Sequence, residues 1–249
     1  MSDLSIWRLN GRFAGATLFA LLTVPAIALA FGLYVANSKT FSGFNTTSIV
    51  AVHGALTAVW FVMLAAQAWF ARTGKMDLHR SIGRTSYVVA PVVFLSMMVV
   101  FIEHLHRRVY PMTEIDLRID VFNWINPLAF ILCCALAVRH RKNTPRHMRY
   151  MIATILAVGS PILARILLSY FTWVPGMTDL DVTISVQFAI LLGGIGWLIA
   201  RDRESGITPS PYLVPFGSNL LILVGFYTFG NSEAWSAFMY GFAWLVGAG

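Results

Sequence analysis

The 249-residue chain is 57% apolar and only 12% charged, with a mean hydropathy of +0.70, a balance that belongs to membrane proteins and leaves no room for a soluble catalytic domain. Its formal charge of +7 comes from basic residues in short clusters between apolar runs, where they orient helices and meet anionic lipid, so nucleic-acid binding is not expected. Cys133 and Cys134 are adjacent in an apolar stretch and diverge by about 100° on a helix, a poor arrangement for pairing or chelation.

In chain order, the start MSDLSIWRLNGRFAG carries an acid and two arginines before a long apolar run and lacks a small-residue cleavage site, which predicts an uncleaved first helix. Apolar runs bounded by charged or turn-rich segments predict membrane-spanning helices at about 13–36, 47–71, 84–103, 120–138, 150–171, 183–200 and 211–230. The aromatic stretch at about 234–249 suits a short eighth helix lying in, or partly entering, the interface. The expectation is an all-α, polytopic bundle forming a single membrane domain, with a core four-helix unit at about 47–171.

Loop charge sets the expected orientation. Thirteen of the Lys and Arg residues fall in the N-terminal tail and alternate loops. Four, Lys39, Arg107, Arg108 and Arg118, fall on the opposite side together with seven of the eleven acids. The positive-inside rule then places the N-terminus in the cytoplasm. A faint internal repeat joins MDLHRSIGRTSYVVAP to PRHMRYMIATILAVGSP, which would make helices two–three and four–five a pair of parallel hairpins. The alternative is that any two cytoplasmic helix starts collect Arg, His and Tyr.

All six histidines lie between His53 and His147. His53 sits inside helix two, where an ionisable group is costly and faces the bundle interior by default; with Trp60 and Gln67 it forms one stripe at steps of seven. That stripe serves either a site or packing between helices. Of His104 and His106, which diverge by about 160° on a helix, at most one faces a shared site, and His104 is favoured. His79 and His147 open helices three and five, where they either ligate a cofactor or cap a helix and meet lipid phosphate. Arg165 lies within helix five and calls for a partner: Glu103, Asp120, Asn123, or an anionic or carbonyl-bearing ligand such as a haem propionate or a quinone. Snorkelling to the interface is the other reading. His53, Glu103, Asn123, Asn126 and Arg165 are expected to converge on one outer-leaflet cavity, with His53 and His104 the first candidates for a metal. Helix seven has no lysine, which excludes a retinal Schiff base there.

The stretches HGALTAVWFVMLAAQAWFARTGKMDLHRSIGRTSYVVAP and NPLAFILCCALAVRHRKNTPRHMRYMIATILAVGSPILAR resemble an uncharacterised family of bacterial multi-helix membrane proteins. On that resemblance, which covers under half of the chain, His53, Gln67, His79, Arg80, Gly83, Arg84, His147, Arg149 and Arg165 fall on motif positions, and a bacterial inner-membrane location is implied. The family carries no activity across. A looser likeness to transmembrane di-haem cytochromes of the b type rests on histidines spread over consecutive helices, although helix four has none. The leading expectation is an accessory subunit or assembly factor of a larger membrane complex, respiratory or photosynthetic, surrounded by membrane lipid. The alternatives are a protein binding haem b or quinone, and a small-solute or proton transporter.

Overall fold

The structure is a computed structural model that describes residues 48–108, 110–170, 174–176 and 179–248. Every regular element among them is helical: α1 (Ser48–Arg72), α2 (Met76–His106), α3 (Glu114–Arg139), α4 (Thr144–Ala157), α5 (Gly159–Tyr170), α6 (Leu180–Glu204), α7 (Leu213–Tyr227), a 3-10 turn (Phe229–Asn231) and α8 (Glu233–Leu245). The helix expected at 13–36 lies outside the described residues. Helices α1, α2, α3 and α6 are each long and apolar enough to cross a membrane, and α4 with α5 passes the same test as a pair bent by 44°. Helix α7, at 15 residues, is a shorter apolar helix, and α8 has 13.

The chain divides inside α2 into two compact units, Met1–Val93 and Phe94–Gly249. In the first, α1 and the start of α2 form a hairpin around Thr73–Lys75, where Gly74 takes the positive φ of 73° that favours glycine. The hairpin is fastened near its turn by the His79 ring, whose Nδ1 lies 3.2 Å from the Gln67 carbonyl oxygen. A turn further along α2, Gly83 faces Gln67, and a Cβ there would lie in ordinary contact, 3.5 Å from Gln67 Oε1. Trp60, Phe61, Met63, Leu64 and Gln67 form the buried face of α1.

In the second unit α3 is central, half of its apolar window being buried, and it packs against α4 and α7. Its start is well specified. Thr113 accepts from the Asp116 N–H while the Asp116 carboxylate accepts from the Thr113 N–H, a reciprocal cap that satisfies donors otherwise left open at a helix N-terminus. Val121, Phe122, Ile184, Phe188, Ile222 and Phe226 fill the interface of α3, α6 and α7. A second cluster, including Ala129, Cys133, Ala153, Ala157 and Ile195, joins α3, α4 and α6. The 3-10 turn presses so closely on α3 and α7 that a Cβ on Gly230 would lie 2.8 Å from the Gly225 carbonyl oxygen and 3.2 Å from Arg118 Cα.

The expected continuous helix at 150–171 is replaced by two helices, α4 ending at Ala157 and α5 beginning at Gly159. The cause is local. Pro161 has no N–H to give the Ala157 carbonyl, and its ring clashes with that carbonyl in a regular helix. The chain leaves the helix at Val158, whose N–H donates instead to the Ile155 carbonyl, and resumes at Gly159.

Candidate functional site

Three ionic knots hold the second unit. Near the acidic end of the helices, where α3 and α6 begin, Arg108 donates from both terminal nitrogens to Asp120, at 2.5 and 2.7 Å, and Asn123 Nδ2 adds a bond to Asp120 Oδ1 at 3.0 Å. The Arg108 and Asp120 side chains are 4% and 0% exposed, so the pair is desolvated and holds the segment between α2 and α3 onto α3. Arg118 reaches Asp181 and the Phe226 carbonyl, and its guanidinium lies 4.0 Å from the centre of the Phe226 ring. At the opposite, basic end, Arg149 pairs with Asp202, which also accepts from the Ser210 hydroxyl at 2.6 Å. Next to this knot, burial pushes the Tyr212 phenol above its usual range, with Arg149 opposing the rise and Asp202 adding to it.

The candidates from sequence are distributed over these features. Glu103 pairs with Arg107 at 2.6 Å, and Asn123 joins the Arg108–Asp120 knot, so the arginine beside Asp120 is Arg108. Arg165 is exposed on α5 and donates to the Pro161 carbonyl at 3.1 Å. His104 is exposed, while its neighbour His106 has a ring nitrogen 3.0 Å from the Val246 carbonyl oxygen. His53 is half-buried on α1 in the first unit, whereas Glu103, Asn123, Asn126 and Arg165 belong to the second.

His79 and His147 share a local device. Each opens a helix, and each ring points Nδ1 at a carbonyl near the end of the helix before it, Gln67 for His79 and Ala137, at 2.8 Å, for His147. A carbonyl accepts only, so Nδ1 carries a proton in each ring. Ligating imidazoles are commonly oriented in this way, and it is equally an effective latch for a helical hairpin. Among the described residues no group of three or more His, Cys, Asp or Glu is arranged to hold a metal ion.

The feature that the candidates missed lies at the break between α4 and α5. Asn219 of α7 donates from Nδ2 to the Leu156 carbonyl at 3.0 Å and to the Pro215 carbonyl at 2.8 Å. In an unbroken helix the Leu156 carbonyl would accept from the N–H of Ser160; here a side chain from a neighbouring helix caps it. Two carbonyl acceptors also settle which end of the Asn219 amide is nitrogen, so the oxygen is the end with no partner. Ser160 Oγ, Asn126 Oδ1 and both amide atoms of Gln187 are likewise buried without a hydrogen-bond partner. Ser160, Gln187 and Asn219 are fully buried and Asn126 is 7% exposed.

Packing places these groups near the break. Leu191, one turn beyond Gln187 on the same face of α6, reaches within 3.5 Å of the Cβ position of Gly159. Ala129, three residues beyond Asn126 on α3, shares a cluster with Ala157. Comparison with protein families, curated proteins and solved structures finds no match for this chain.

Proposed function

We propose that the chain is a membrane carrier for a small solute or for protons, with its moving part at the break in the α4–α5 span. The observation that carries this reading is the pairing of a broken span with buried polar groups that have no partner. Non-helical backbone at membrane depth is tolerated where it lines a site, and freed carbonyls and N–H groups at such breaks serve polar cargo. A purely structural bundle gains nothing from leaving polar atoms of four side chains unsatisfied, since each such group costs about 1–3 kcal/mol when buried alone. The ionic knots supply the rigid frame against which such a break moves. His53 supports the proton form of the reading, because an ionisable side chain within a span is costly to keep there without a use.

The test uses the full chain in sealed vesicles loaded with a pH-sensitive dye. An imposed membrane potential is expected to drive proton entry above the leak of protein-free vesicles, and His53→Ala is expected to return it to that leak. Wild-type vesicles no leakier than empty ones would remove the proton form. Recovery of the purified chain with a stoichiometric protein partner would instead favour the accessory-subunit reading.

A further inference from the structure

We propose that the break between α4 and α5 binds an alkali cation. Every group that points to this is a neutral oxygen or an amide. Asn126 Oδ1, Asn219 Oδ1 and Ser160 Oγ are buried without partners, and Pro161 leaves the Ala157 carbonyl without its usual donor four residues on. The Leu156 carbonyl is already taken by Asn219, which fixes that side chain and holds its oxygen beside the end of α4. The α4 C-terminus adds the negative end of its dipole. Ser160 stands in the first turn of α5, so its hydroxyl and the end of α4 lie within about one turn of each other.

The chemistry selects the ligand. Among the five residues concerned, Asn126, Ala157, Ser160, Gln187 and Asn219, there is no carboxylate and no imidazole, so the site does not itself take up a proton and does not offer the charge that calcium or magnesium requires. An anion would face several oxygen acceptors and the wrong end of the α4 dipole. Neutral oxygens at a helix end match a singly charged cation that sheds its water, and Gln187, one turn along α6 from the Leu191 that meets Gly159, carries a further unpartnered amide oxygen. For its role as the coupling ion of a carrier, the cation rests on the function proposed above; its binding does not.

The test compares thermal unfolding of the full chain in detergent in equal concentrations of sodium, potassium and choline chloride. One alkali salt is expected to raise the midpoint by about 5 °C over choline, as a ligand that binds only the folded state does. Ser160→Ala, which removes one hydroxyl and leaves the Asn219 cap in place, and Asn126→Ala are each expected to fold and to lose the shift. The same midpoint in all three chlorides overturns the inference, leaving the oxygens to buried water alone, and so does a shift that survives in both variants. A cation-dependent midpoint without any flux in vesicles counts against the carrier and not against the site.

Discussion

Asp120→Ala is expected to lower the stability of the second unit by about 3–5 kcal/mol, because it strands the Arg108 guanidinium, only 4% exposed, without its charge partner. The remaining acid nearby, Asp116, is 3.6 Å from Arg108 Nε and is already engaged in the cap at Thr113. For a chain of this size the loss reads as a fall of about 10 °C in the unfolding midpoint. The double replacement Arg108→Met with Asp120→Leu removes both charges together and should recover a large part of the loss, since an apolar pair of similar volume is often as stable as a buried ion pair. Equal damage from the single and double variants would mean that Arg108 and Asp120 act separately.

Pro161→Ala is expected to have its largest effect on function. It supplies the missing N–H to the Ala157 carbonyl and removes the ring clash, so α4 and α5 can merge into one helix. A proline inside a helix costs about 3 kcal/mol relative to alanine, so the variant should unfold at the same temperature as the wild type or higher. With the break closed, Ser160 returns its N–H to Leu156 in competition with Asn219, and both proton flux and the alkali-cation shift are expected to disappear. A variant that is more stable and still transports at the wild-type rate would show that the break is incidental.

The all-helical class and the apolar runs near α1, α2, α3 and α6 were legible because long hydrophobic segments bounded by charge have few other structures open to them. Helix ends were less so. The start of α2 at Met76 rather than near 84 includes Asp77, His79, Arg80 and Arg84, polar residues that extend the helix beyond its apolar stretch and are therefore invisible to hydropathy. The break at Val158 did have a signal: Gly159, Ser160 and Pro161 in succession inside an apolar run form a breaker cluster. Asn219 on α7 was also visible as a lone amide in an apolar segment, but nothing in one sequence says that it caps the Leu156 carbonyl. Arg108 gave no such signal, because it stands in a polar loop and its burial depends on contacts distant in sequence, such as its own pair with Asp120 and, nearby, Met112 N–H to the Tyr240 hydroxyl, 128 positions apart.

A carrier built on the α4–α5 break needs that break to open in turn to each side of the membrane. Such opening is read with Ser160→Cys in a chain whose buried Cys133 and Cys134 are replaced by alanine, labelled in sealed vesicles by a membrane-impermeant maleimide added to one side or the other. A carrier predicts that the new thiol reacts from each side, although the position is fully buried in this conformation. A thiol that stays unreactive from both sides, in protein that remains folded, would rule out the carrier and leave the break as a fixed part of the bundle.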